Sequence, residues 1–192
     1  MSYATYTTDA IVCGTYNRNT ADRSYLLFTR EAGMLYAEAK SAREERSRQR
    51  MALQDFSLVR VSLIKGKSSW KIGSIEPKGN FYTNAADKAA RGSVVMLTKF
   101  LRRFFGGQEA APQLFEYVRS ALGFLAAAPA ERTLYEQIIL VRLLLELGYV
   151  DERMAPPIVK QNVADFTDLT STDELRVQLQ PIIDKAVSLS QL

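Results

Sequence analysis

The chain contains no histidine and a single cysteine among its 192 residues. The first absence rules out imidazole acid/base catalysis, Ser-His-Asp triads and histidine metal sites. The second rules out an intrachain disulfide, which makes a reducing compartment the natural setting. Cys13 stands in an apolar stretch and reads as a small buried hydrophobe. No Gly-x-x-x-x-Gly-Lys-Ser/Thr phosphate loop occurs, and "FFGG" at 104–107 opens no helix of the kind such a loop needs. Glu44 and Glu45 lie among arginines, which favours their charged forms and argues against an acid/base pair. Long apolar runs are also missing. "IILV" and "LLL" within 138–145 are interrupted by Arg142 and fall short of the roughly 18 residues of a membrane span. The start, "MSYATYTTDAIV", lacks the basic opening and apolar centre of a secretory signal. These absences give the expectation of a cytoplasmic, non-enzymatic protein with no membrane span, cofactor or metal.

What is present begins with a core: 47% of the residues are hydrophobic, enough for one sizeable domain or two small ones. The formal net charge is only +4, and its distribution says more than its size. Residues 1–78 hold 13 basic and 8 acidic side chains, whereas 79–192 hold 12 and 13. Much of the surplus is gathered in "AKSAREERSRQRMALQDF", residues 39–56.

The two parts differ in hydrophobic period. "YATYTTDAIVCGTY" is rich in Thr, Tyr, Ile and Val and suits a strand. "SYLLFTREAGMLYAEAK" gives two more strands around a turn at Glu31, Ala32 and Gly33, with Gly33 supplying a positive φ. In "FSLVRVSLI" the residues Val59, Val61 and Leu63 share one face. "SSWKIGSI" follows across a turn near Gly66. Five short strands with a long polar interruption between the third and fourth suit a small barrel of the OB type. From Asn84 the period becomes helical, with Ala86, Ala90, Leu97, Leu101 and Phe104 inward. Further helices are expected from Pro112 to near Pro129, over 131–147 and over 173–188, with a loop at 149–172. The fold class is therefore α+β: an N-terminal five-stranded OB barrel, residues 1–78, followed by an all-α helical domain, residues 79–192.

Lys40, Arg43, Arg46, Arg48 and Arg50 fall in the interruption between strands three and four. Alone, such a run reads as a solvated loop or short helix. Lys65, Lys67 and Lys71 flank the next hairpin, with Trp70 among them. Cations beside an aromatic on a small barrel are what a nucleic-acid strand requires: the cations neutralise phosphates while ring faces stack on bases without reading their edges. Trp70 has a second reading as a core or lid residue, and Tyr36 has both readings too. In the helical half, Arg142 within "IILVRLLLEL" calls for a partner, which Glu146 at i+4 supplies.

The order of short motifs across the first half closely resembles the N-terminal OB domain of the bacterial RecO family of recombination mediators. Asp22 and Arg23 match an acidic-then-basic pair before the second strand. Thr29, Arg30, Glu31 and Gly33 match a "T-R-E-x-G" turn. Lys40 and Arg43 fit "A-K-G-x-R", Arg46, Ser47 and Arg48 fit "K-S-R", and Leu53, Gln54 and Phe56 fit "L-Q-P-F". Ser41, Asp55 and Met51 depart from the family at the glycine, the proline and a frequent glycine. The likeness covers 9–78 well and 85–150 more loosely, through helical order and "LLLELGY".

The resemblance implies binding of single- and double-stranded DNA, annealing of complementary strands, and loading of the recombinase RecA with RecR. It also implies docking of the acidic, apolar-ended tail of the single-stranded-DNA-binding protein on the helical domain. Arg102, Arg103, Arg119, Arg132 and Arg142 are the arginines available there for the tail's carboxylates, and no motif singles one out. Many family members carry two C-x-x-C pairs after "L-G-Y"; here "LGYVDERMAPPIV" has none, so a thiolate zinc site cannot form. The DNA-binding residues expected are Lys40, Arg43, Arg46, Arg48, Arg50, Lys65, Lys67, Trp70 and Lys71. An OB module for RNA, or an adaptor that binds only proteins, are the alternatives.

Overall fold

The computed structural model describes residues 5–18, 22–40, 42, 44, 46–66, 69–166 and 172–190. Its contacts divide the chain into two compact units, Met1–Asn84 with Gly106–Phe115, and Ala85–Phe105 with Glu116–Leu192.

In the first unit, β1 (Thr5–Asn17), β2 (Arg23–Thr29), β3 (Gly33–Ala39), β4 (Ser57–Lys65) and β5 (Trp70–Asn80) close into a barrel in the order β1-β2-β3-β5-β4. A short helix, α1 (Arg48–Ala52), lies between β3 and β4. The period-2 alternation selects the interior: Ala10, Val12, Tyr25, Leu27, Leu35, Ala37, Ala39, Val59, Val61, Leu63 and Ile72 form one buried cluster. Ala42 and Leu53, from the connection, join it. Long β1 serves two neighbours, pairing with β4 over Thr5–Ile11 and with β2 over Ala10–Asn17. The closing seam is short: β3 and β5 run parallel and pair only at Ala37↔Trp70 and Glu38↔Lys71.

The expected β2–β3 turn forms, with Gly33 at φ +62. Thr29 Oγ1 donates to the Gly33 carbonyl at 2.9 Å and accepts from the Ala32 N–H at 3.0 Å. Residues 106–115 cover part of the barrel's outer wall. The Met34 N–H donates to the Gly107 carbonyl at 2.9 Å, and the Phe115 ring packs on Phe28 at 5.5 Å. This covering explains why Phe28 and Met34 are buried although their register turns them away from the barrel interior.

The second unit is helical: α2 (Lys88–Phe104), the part of α3 (Pro112–Ala126) from Glu116 onward, α4 (Arg132–Glu146) and α5 (Thr172–Leu189). Helix α2 begins later than its period suggests because Asp87 caps it, accepting from the Ala90 N–H at 2.6 Å. Ala86, expected inward, therefore precedes the helix and is exposed. Gly148, at φ +76, ends α4. The Tyr149 N–H donates to the Leu144 carbonyl and the Gly148 N–H to the Leu145 carbonyl, a Schellman closure. The stretch expected as loop holds three 3-10 turns, Glu152–Met154, Pro157–Lys160 and Val163–Asp165. They carry Val159, Val163 and Phe166 into the core, where Phe166 stacks on Tyr135 at 5.2 Å.

Candidate nucleic-acid interface

The β4–β5 hairpin sets Lys65 opposite Trp70 as register partners. Lys65 Nζ lies over the indole at 5.6 Å from the ring centroid, within cation–π range. Tyr6, from the start of β1, meets the same indole edge-on with centroids 5.8 Å apart. Trp70 is half-buried and packs against the barrel core, so it closes the rim while its ring is approached by Lys65 and Tyr6. Lys71, next along β5, is exposed and pairs in register with Glu38 of β3. Lys40 follows two residues beyond Glu38 and is also exposed.

Arg46 and Arg50 are exposed on the connection that ends in α1. Arg48 opens α1, its side chain lying outside the description, and Arg43 and Lys67 lie outside the described residues. The hairpin thus brings Lys65 and Trp70 together; Lys71 is next along β5 on the other face of the sheet, Lys40 follows the end of β3, and Arg46 and Arg50 come from the neighbouring connection. Helix α1 rests on β5, and the two border a cavity of about 420 Å3 lined by Gln49, Met51, Ala52, Gly73, Ile75 and Pro77. None of these described lining residues is a cation.

Charge pairing separates two groups of cations on the barrel. Arg18 pairs with Glu38, Arg30 with Glu31 at 3.0 Å, Lys78 with Asp9 at 2.9 Å and Arg60 with Asp9 at 3.6 Å. Among the described residues, no ion pair ties Lys40, Arg46, Arg50, Lys65 or Lys71 to a carboxylate. An exposed cation without a counter-charge keeps its full attraction for a polyanion and gives up no internal pair on binding.

Inside the barrel, burial pushes the Tyr25 hydroxyl above its ordinary pKa of 10, with Arg23 beside it drawing it part of the way back. In the helical unit, Arg142 meets the expected partner, its Nη2 lying 2.6 Å from Glu146 Oε1. Its guanidinium also sits 5.8 Å from the centroid of the Tyr117 ring, whose buried hydroxyl has no hydrogen-bond partner among the described residues. Of the arginines available for an acidic tail, three besides Arg142 have partners within the unit. Arg119 pairs with Glu116 at 2.8 Å, Arg132 with Glu136 at 3.7 Å, and Arg103 reaches the end of α5. Arg103 Nε donates to Ser190 Oγ at 2.9 Å and Nη2 to the Val187 carbonyl at 2.8 Å. Arg103 lies in the last turn of α2 and from there reaches the end of α5. Cys13 is buried, as expected. Among the described residues no group of three or more acidic or cysteine side chains could hold a metal, and no helix is long and apolar enough to cross a membrane.

The sequence missed Tyr6 and Tyr16. Both lie on β1, and what each ring meets depends on pairings between segments far apart in the chain: Tyr6 opposite Leu63, Tyr16 opposite Ser24.

A closed five-stranded barrel in this order, with a helix between the third and fourth strands, defines an OB-fold protein. Residues 1–81 match the family model described as "Recombination protein O N terminal". Curated relatives named "DNA repair protein RecO" align from Desulfitobacterium hafniense (strain DSM 10664 / DCB-2), 29% identical over 75% of this chain and 52% of the relative, and from Myxococcus xanthus (strain DK1622), 29% identical over 67% and 53%. One from Symbiobacterium thermophilum is 40% identical over 38% of this chain and 29% of its own length. The chain is similar, through residues 1–81, to the RecO family. It spans about half the length of the first relatives it matches.

Proposed function

We propose that this chain is a recombination mediator in DNA repair: its barrel, residues 1–78, binds single- and double-stranded DNA through phosphates and brings complementary strands together. The observation that supports this reading is the group of exposed cations, Lys40, Arg46, Arg50, Lys65 and Lys71, with no carboxylate partner among the described residues, on an OB barrel that matches the family model. Arg43, Arg48 and Lys67 extend the same run in the sequence.

Annealing requires a surface that neutralises two like-charged strands and holds them close without reading their sequence. Nothing in that task consumes a nucleotide, and the reading has the protein act without catalytic turnover, in the cytoplasm. The helical domain, residues 79–192, is the proposed dock for the acidic tail of the single-stranded-DNA-binding protein. RecR is the proposed partner in loading RecA.

The test is annealing of complementary strands coated with the cognate single-stranded-DNA-binding protein, with and without its acidic tail. Acceleration that depends on the tail supports the whole reading. Acceleration without tail dependence removes the docking part alone, and no acceleration with either protein, or turnover of nucleotide, overturns the mediator reading.

A further inference from the structure

The open part of the barrel's outer wall carries aromatic rings as well as charge. The register turns Tyr36 outward, opposite Leu26 of β2, and Tyr16 outward, opposite Ser24. The two rings meet across β2 with centroids 5.8 Å apart and planes at 60°. Tyr36 is 56% exposed, unusual for a large ring at the middle of a strand whose alternate neighbours, Leu35 and Ala37, are buried to 1% and 0%. Residues 106–115 cover the wall at Phe28 and Met34, at the other end of β2 and β3.

Charge surrounds these rings. Arg18 and Glu38 form an ion pair on the same wall, and Lys71 is the register partner of Glu38. Lys40 directly follows the end of β3. In OB folds this outer face of strands two and three, between the loops joining strands one to two and four to five, is where oligonucleotides lie. A tyrosine ring presents a π-face that every base can stack on, whatever its identity, but only when the base is unpaired.

We propose that the Tyr16–Tyr36 pair is a stacking platform for the unpaired bases of a single DNA strand. The platform rests on the nucleic-acid reading above and adds a determinant of strand preference to it: phosphate contacts serve single and double strands alike, and the ring face serves only the former. Tyr36 is the contacting ring and Tyr16 orients it. Glu38 opposes the strand's phosphates and is offset by Arg18.

The experiment compares the full chain and its Tyr36→Ala and Tyr36→Phe variants. Each is titrated by fluorescence anisotropy with an oligo-dT strand, with an abasic strand of the same length, and with a duplex. The unsubstituted protein is expected to bind oligo-dT at least about fivefold more tightly than the abasic strand. Tyr36→Ala should lose about tenfold toward oligo-dT and stay within about twofold toward the abasic strand and duplex. Tyr36→Phe, which keeps the ring, should stay close to the parent. Equal affinity of the parent for oligo-dT and the abasic strand overturns the platform without depending on any variant's folding. So does a Tyr36→Ala protein that keeps its oligo-dT affinity. In both cases binding itself survives. Failure of the parent to bind any of the three sinks the nucleic-acid reading, and the platform with it.

Discussion

Lys65 Nζ sits 5.6 Å from the centre of the Trp70 indole, joining the last residue of β4 to the ring that closes the barrel's rim. Two side chains that the sequence grouped as binding residues thus have separable tasks. Trp70 packs on the core cluster, so Trp70→Ala is expected to cost about 2–4 kcal/mol of stability. Lys65→Ala loses only an exposed cation–π contact, less than about 1 kcal/mol. Urea unfolding followed by circular dichroism measures both, the second reading being independent of the chain's sole tryptophan.

The cations with no ion pair among the described residues should appear in the salt dependence of binding. Each phosphate contact removed flattens the slope of log K against log salt by about one unit. Replacing Lys65 and Lys71 with alanine, and separately Arg46 and Arg50, should flatten it by up to about two units each. Replacing Arg60 and Lys78, which Asp9 already holds, should leave it nearly unchanged. Binding titrations over a range of salt concentrations distinguish these outcomes.

Gly33 is required by its surroundings as well as by its φ of +62. A Cβ there would stand 2.5 Å from the Glu109 carbonyl oxygen and 2.6 Å from that of Gly107. Gly33→Ala is expected to destabilise the barrel by at least about 2 kcal/mol, combining the left-handed backbone penalty with displacement of backbone that cannot rotate away. Thermal unfolding measures the loss.

Asp151 supplies a pH prediction. Its carboxylate accepts from Arg153 Nε at 3.1 Å, Nη2 at 3.0 Å and the backbone N–H at 2.9 Å. The Arg153 side chain first, then its N–H, hold the pKa below the usual 3.8. A depressed folded-state value means that the stabilisation is present above pH 3.8 and is lost as pH falls through the folded value. Arg153→Ala should move the Asp151 midpoint upward, in a carboxyl-carbon NMR titration, and leave stability at neutral pH with little change.

Local patterns made much of the fold legible. The alternation of Val59, Val61 and Leu63, the turn at Gly33 and the Arg142–Glu146 spacing each depend on residues near in sequence, and each appears as expected. The helical period was clear too, but it could not announce that Asp87 would cap α2 and leave Ala86 outside. Long-range pairing was not legible. Nothing local indicates that 106–115 would cover the barrel wall, that Arg103 would reach Ser190, or that Tyr16 would meet Tyr36 across an intervening strand. The run of basic residues was visible as composition; which of the barrel's other cations are held by carboxylates depended on where Asp9, Glu31 and Glu38 came to lie.

The barrel is sealed along one side by two register pairs, Ala37↔Trp70 and Glu38↔Lys71, whereas its other strand pairs zip along most of their length. Such a cylinder behaves like a curled sheet held by a latch. Amides at the latch exchange with solvent through local opening, at a lower free-energy cost than those of β1 and β4. A polyanion spanning Lys40 and Lys71 would bridge that gap, so ligand binding and closure of the cylinder are one linked equilibrium, each favouring the other.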